Sequence, residues 1–455
     1  MSQHLLIVAN DAIGTRMAGP SIRAWELAGA LHAAGVQITL AAPGQSIPSA
    51  PFATLAFDVQ GRALRPVAER ADAVLVQGLV LAHYPFLAAL DIPVIVDVYD
   101  PFVLENLPQR AEETLAGRKH HHVKDLAALN AQLERGDFFV CASEQQRDFW
   151  LGMLTALGRV GPEAYDADAS LRRLLDVVPF GLPTEPPRPA ADGRPRLKGG
   201  VPGIDPGDEV ILWGGGIWNW FDPLTLIRAV AELAPSRPRL RLFFLGGKAP
   251  GLYTPKMRMA AAAERLAREL GLLDRVVFFN RDWVPYAERG AYLLEADLAA
   301  STHLPHIETR FAFRTRLLDC IWAGLPMLVT EGDVLAELVQ REGLGLGVPP
   351  EDVPATAAAI AALLDEPDAR ASRAEAFARV RARMTWTRAA EPLARFMAHP
   401  ERAPDRPEAG AGLDRLSPTP AGALPARALE ILREGGPLAL VEEAVRYLRW
   451  MRRPS

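Results

Sequence analysis

The stretch His303–Asp333, HLPHIETRFAFRTRLLDCIWAGLPMLVTEGD, decides the fold. Charge crowds its first half: Glu308, Arg310, Arg314, Arg316 and Asp319. An apolar helical run then stops at Gly324-Leu325-Pro326 and passes straight into a β-like run, Met327–Thr330. Gly and Pro punctuate helices, so this reads as a helix delivered into a buried strand. A charge-dense loop entering a helix between two buried strands is where α/β proteins hold phosphorylated ligands.

The same alternation extends outward from this stretch. Just before it, strand-like runs at Val210–Trp213, Leu240–Leu245, Val276–Phe279 and Asp297–Ala300 alternate with helical runs at Pro223–Leu233, Lys256–Leu270 and Ala287–Leu294. After it, Val353–Leu364 and Ala369–Arg383 look helical. Further back, Leu5–Ala9, Val36–Ala41, Ala73–Gln77, Val94–Val98 and Phe138–Ala142 are strand-like, with helices at Ser21–Ala34 and Leu115–Arg135. Repeated βα units predict α/β architecture with two Rossmann-like, doubly wound parallel sheets. The predicted division is a first domain over 1–185, a Pro/Gly/Arg-rich connection over 186–206 and a second domain over 207–385. A helix over 386–400 is expected to return toward the first domain. A loosely attached Pro/Gly/Ala-rich linker over 401–425 and an amphipathic basic tail over 426–455 follow.

Composition sets limits on function. A chain of 455 residues exceeds what one core holds. Apolar residues at 49% and charged residues at 23% fit an ordinary globular protein, and a net charge of −5 gives no reason to expect a nucleic-acid partner. The two cysteines, Cys141 and Cys320, sit in apolar runs and read as buried thiols of a reducing compartment. Met1-Ser2-Gln3-His4 leads directly into LLIVAN with no signal-peptide pattern, and no uncharged apolar run reaches the ~18 residues of a membrane span. A cytoplasmic location is expected.

Five segments carry chemistry. In Asn10–Pro20, NDAIGTRMAGP, Gly14 and Gly19 let backbone approach a ligand, with an ordinary βα loop as the equal alternative. Its spacing is not G-x-G-x-x-G, and Leu40-Ala41-Ala42-Pro43 lacks the acid of a dinucleotide fold, which argues against nicotinamide or flavin. In Trp213–Asp222, WGGGIWNWFD, Gly214, Gly215 and Gly216 again permit close approach, while Trp218 and Trp220 either wall a sugar face or pack an interface. In the opening stretch Arg316 and Asp319 share a helix face. Surface pairing is the alternative, but charges in a buried crossover need partners and a ligand is one. Positive charge suits a diphosphate and carboxylates suit hydroxyls, as a sugar-nucleotide requires. In Phe278–Tyr286, Trp283 is placed to meet a base or to pack beside Pro285. In Val96–Glu105, Asp97, Tyr99 and Asp100 follow a strand and face the same cleft from the other side. His120, His121 and His122 point in different directions on a helix, so they do not form a metal site.

These segments together resemble the GT-B glycosyltransferases of the GT4 type, a large retaining family, over about the first 400 residues. MAGPSIRAWELAGALHAAGVQITLAAP, ILWGGGIWNWFDPLTLIRAV and LLDCIWAGLPMLVTEGD carry the likeness. It implies two domains facing a cleft, a nucleotide-diphosphate sugar as donor, no cofactor and no metal. It also implies an acceptor hydroxyl on a glycan or lipid-linked molecule, as in bacterial surface-polysaccharide synthesis. Asp319 then stands in the place of the family glutamate that binds ribose, and Glu308 is the candidate for the one contacting the donor sugar. The two lie eleven apart where the family has eight, with Phe311 at the strict position. The family's Arg and Lys after the glycine turn are missing, Gly216 and Phe221 standing nearest, so Arg310, Arg314 and Arg316 become the candidate phosphate clamp. Helix-start amides near Phe311–Phe313 would assist them. Asp100 and His83 are the candidate bases. The basic tail suits an anionic membrane surface, such as the inner face of a cytoplasmic membrane, although its narrow apolar face favours packing on protein. A sugar-nucleotide epimerase or hydrolase, or a non-catalytic nucleotide-sugar-binding scaffold, would share the same architecture.

Overall fold

The computed structural model describes residues 3–247 and 257–406. Two parallel sheets organise it. The first contains β1 (His4–Val8), β2 (Gln37–Pro43), β3 (Ala53–Phe57), β4 (Ala73–Gln77), β5 (Val94–Asp97), β6 (Phe138–Cys141) and β7 (Leu175–Val177), in the order β3-β2-β1-β4-β5-β6-β7. The second contains β8 (Glu209–Trp213), β9 (Leu240–Phe244), β10 (Val277–Phe279), β11 (Leu298–Ser301), β12 (Met327–Thr330) and β13 (Gly345–Val348), in the order β10-β9-β8-β11-β12-β13. Helices cover both faces, so the central strands are continuous apolar runs: Leu5, Leu6, Ile7 and Val8 are all fully buried.

The strand order reverses between β1 and β4 in one sheet and between β8 and β11 in the other. Loops leaving the carboxyl ends of such strands part in opposite directions and leave a crevice. The two crevices face each other across a cleft, and this positions the site.

The helix of the opening stretch runs Arg316–Ala323 and ends at Gly324, whose φ of 63° closes it in the left-handed conformation. Leu325 then enters β12 through a turn in which its N–H reaches the Cys320 carbonyl at 2.9 Å. The expected helix start near Phe311–Phe313 is corrected: Ile307–Phe311 is a 3-10 turn and Ala312 is extended, so helical amides begin only past Thr315.

The connection over 186–206 packs against the second domain. Leu197 and Ile204 are buried, Glu295 accepts the amides of Arg196, Leu197 and Lys198, and Lys198 pairs with Asp297 at 2.7 Å. Residues 401–406, expected as linker, are docked on the first domain. Asp405 pairs with Arg159 at 2.5 Å, Ala403 is buried, and Arg406 lies 3.5 Å from Asp137. Two short helices, Trp386–Ala389 and Glu391–Ala398, lead there, and Phe396 stacks on Phe138 with centroids 4.7 Å apart. The rest of the linker and the basic tail, 407–455, lie outside the described residues. No helix among the described residues is long and apolar enough to cross a membrane.

Candidate active site between the two sheets

Two connected cavities fill the cleft. One is walled by Gly19, Gly215, Trp283, Tyr286, Arg289 and Asp319. The other is walled by Asp100, Glu105, Trp218, Trp220, Phe313 and Arg314. Gly19, Phe180, Trp218, Thr315 and Arg316 belong to both, so the start of the Arg316–Ala323 helix stands where they meet.

Arg316 is the unusual group. Its Nη2 donates to the Gly216 carbonyl at 2.8 Å, and its guanidinium lies 3.8 Å from the Phe221 ring centroid and 4.9 Å from that of Trp213. Nη1 is buried with no partner, and none of the ion pairs among the described residues involves Arg316. Burial, with Arg314 nearby, pushes its pKa down to about 9. A desolvated cation without a counter-ion is costly and calls for an anion. The glycine turn beside it places Gly215 at a φ of 75°, a conformation that glycine adopts without penalty.

Arg314 differs. Its Nη2 donates to Glu308 at 2.7 Å in a pair whose side chains are almost wholly buried, and Asp333 stands 4.0 Å from its Nε. Glu308 is fully buried behind Arg314 and lines neither cavity, which corrects the expectation that it touches the donor sugar directly. Asp319 does line the first cavity, where its carboxylate accepts from Arg289 at 2.9 Å. Arg310 is exposed with its guanidinium over Phe311, and Phe311 packs on Phe149 while its carbonyl accepts from Gln146. Neither faces the cavities, so the clamp loses Arg310. His83 ends a short helix, exposed and outside both cavities.

Loops from both sheets meet over the first cavity. Trp283 lines it, but its indole N–H donates to the Met17 carbonyl at 3.0 Å, so this ring also fastens the Asn10–Pro20 loop. The Tyr286 amide donates to the Thr15 carbonyl, and its hydroxyl donates to Glu26, both at 2.8 Å. Arg289 stacks on Tyr286 with 3.6 Å to the centroid. Glu26, Tyr286 and Arg289 were missed in the sequence, since each is a lone polar residue without a spacing pattern. Trp218 and Trp220 stack on each other at 5.9 Å, their planes 11° apart, and form one wall of the second cavity.

The first domain contributes carboxyls. Asp100 and Glu105 hydrogen-bond to each other inside the second cavity. Burial pushes Asp100 up to about 6, and burial together with Asp100 pushes Glu105 well above the usual carboxylate range. One Asp100 oxygen has no partner. Beneath them Arg23 grips Asp97 with two bonds of 2.6 and 2.9 Å and donates to the Val178 carbonyl, which fixes the end of β5. Among the described residues no three His, Cys, Asp or Glu side chains form a group that could hold a metal ion.

Residues 208–366 match the family model described as glycosyl transferases group 1. No curated protein matches the chain in sequence. Among solved structures, it is similar to sucrose-phosphate synthase from Thermosynechococcus elongatus, with a TM-score of 0.64 at 18% identity over 87% of this chain and 98% of that one. WaaG, a glycosyltransferase involved in lipopolysaccharide biosynthesis, gives 0.60 at 17% identity over 87% and 100%. HepE from Anabaena, in complex with UDP and glucose, gives 0.59 at 16% identity over 87% and 99%. The second half of the chain thus carries the sequence signature of the glycosyl transferases group 1, within the two-domain GT-B fold.

Proposed function

We propose that this protein is a glycosyltransferase that moves a sugar from a nucleotide-diphosphate donor, with UDP the first base to try, onto an acceptor hydroxyl with retention of anomeric configuration. The observation that carries this reading is Arg316, a half-buried arginine with a buried, unpartnered guanidinium nitrogen and no counter-anion, at the junction of two cavities. A diphosphate bridging Arg316, the Thr315 hydroxyl and the Gly214–Gly216 turn would supply that anion. As the bond from sugar to phosphate breaks, charge grows on the leaving oxygen, and a fixed cation there stabilises the transition state more than the ground state.

In this reading Asp319 and Arg289 meet the nucleoside end, and Trp218 with Trp220 offers a flat wall to a pyranose. Asp100, with a free oxygen and a pKa near the working pH, is the group suited to taking the acceptor proton. The donor is the only small molecule the chemistry needs, without metal or cofactor. The acceptor is a glycan or lipid-linked hydroxyl, as in surface-polysaccharide assembly; support comes from the likeness to WaaG, which is involved in lipopolysaccharide biosynthesis.

Titration calorimetry of the full chain with UDP, GDP and dTDP and their glucose or mannose conjugates tests this. One nucleotide diphosphate should bind, and Arg316→Ala should weaken it by ~10-fold or more, the scale of one lost charge-assisted contact. Absence of binding by every nucleotide, or equal binding by Arg316→Ala, removes the reading.

A further inference from the structure

The helix Glu144–Ala156 is capped by Ser143 and carries Gln146 three residues later, the spacing of a capping box. Ser143 Oγ accepts the Gln146 backbone amide at 3.1 Å. The Gln146 side chain turns back, and its oxygen accepts the Ala142 amide at 2.8 Å. A glutamate here would serve the cap equally well. Glutamine adds two N–H donors, and both are used outside the helix. Nε2 donates to the Tyr99 carbonyl and to the Phe311 carbonyl, each at 2.8 Å. Gln146 is fully buried, and its orientation is forced, since a flipped amide would set its oxygen against two carbonyls.

Those two carbonyls belong to opposite sides of the cleft. Tyr99 adjoins Asp100 just past β5, in the first domain. Phe311 ends the 3-10 turn of the second domain, and Ala312 leaves it extended, so no continuing helix supplies a donor. The next residues, Ala312, Phe313, Arg314 and Thr315, wall the second cavity. Ring contacts follow the same line. Phe149, one helical turn past Gln146, packs on Phe311 with centroids 4.8 Å apart. Phe180 lies 5.2 Å from Tyr99 and 6.0 Å from Phe313. Arg316 is anchored differently, within its own domain, by the Gly216 carbonyl and by the buried Leu317 and Leu318 that follow it.

We infer that Gln146 is a positioning residue that fastens Asp100 and the wall from Ala312 to Thr315 into one frame, so that the sugar end of the site is complete only while the two domains are together. The inference rests on the donor reading for what the frame holds. The diphosphate end is built by the second domain alone and does not need the frame. A nucleotide can therefore enter an open cleft, whereas the sugar is gripped and the Asp100 carboxyl brought up to it only on closure. Buried carbonyls left without a donor are costly, so a lost Gln146 amide loosens both loops at once.

Two measurements on the full chain test this with Gln146→Met. In hydrogen exchange of the nucleotide-free protein, the segments 99–105 and 309–315 should exchange ~10-fold faster or more, while β8 and β12 exchange as in the parent. A merely structural amide would speed exchange throughout the first domain and leave 309–315 unchanged. In calorimetry with UDP, GDP and dTDP and their glucose and mannose conjugates, conjugate binding should weaken by ~10-fold or more with the free diphosphate within about twofold. If Gln146→Met does not fold, Phe149→Leu, which trims the ring on Phe311 and keeps every hydrogen bond of Gln146, should show the same split. Unchanged exchange at 309–315, or a conjugate weakened no more than the free diphosphate, overturns the inference. Binding by no nucleotide defeats the donor reading instead, and faster exchange confined to the two segments would still uphold the frame.

Discussion

Two arginines two positions apart do opposite work. Arg314 is neutralised by Glu308, so Arg314→Ala leaves a buried carboxylate alone, and about 3–5 kcal/mol of stability should go with it in a thermal or urea melt. Arg316 has no such partner. Arg316→Met should raise the ligand-free melting temperature while abolishing nucleotide binding, and a lowered melting temperature would mean its role is structural. Asp100 gives a pH signature. Its folded pKa is raised to about 6 by burial, so ionising it costs the folded state from about pH 4 upward, with the full cost present above pH 6. Asp100→Asn should therefore out-melt the parent at pH 8 by more than at pH 5, and parent turnover should fall as pH drops below about 6. Arg316, Asp319 and Asp100 were legible because each follows a strand or begins a helix in a charge-rich segment. Arg289 and Glu26 were not, because only the folded cleft brings Arg289 to Asp319 and Glu26 to Tyr286.

At the scale of elements, the parallel strands with continuous apolar runs announced themselves, and β4 and the helix over Leu115–Arg135 have the expected bounds. β3, β7 and β13 did not. β3 is a half-exposed edge, β7 spans three residues, and β13 reads GLGV, with two glycines in four positions. Such strands are set by pairing with a neighbour rather than by their own pattern. The glycine turn beside Arg316 depends on another element as well. A Cβ on Gly246 would lie 2.2 Å from the Gly215 carbonyl, so the loops after β8 and β9 touch backbone to backbone. Gly246→Ala should push the turn out of place and weaken nucleotide binding several-fold in calorimetry.

Across the whole molecule, the cleft is bridged on both sides. Trp283 and Tyr286 hold the Asn10–Pro20 loop, while Gln146 reaches the Phe311 carbonyl and Asn219 the Gln109 side chain at 3.1 Å. Tyr286→Phe removes the bond to Glu26 and should enlarge the radius of gyration of the nucleotide-free protein in X-ray scattering, with nucleotide restoring compactness. The chain also closes on itself. Arg159 and Asp137 gather residues 401–406, so a chain ending at Pro400 should melt a few degrees lower than the full one. Pro, Gly and Ala in that region suggested slackness. The ion pairs that hold it come from residues more than two hundred positions away, and a local reading could not include them.

The polypeptide passes between the lobes twice, and the two passages lie side by side: the Leu182 amide reaches the Met384 carbonyl at 2.6 Å, and Gly181 packs so tightly on Trp386 that a Cβ would sit 2.4 Å from its backbone nitrogen. A single thread between two bodies would act as a ball joint, free to twist as well as bend. Paired threads stitched together act as a door hinge, allowing one swing and resisting rotation, so every opening and shutting brings the same faces back into register.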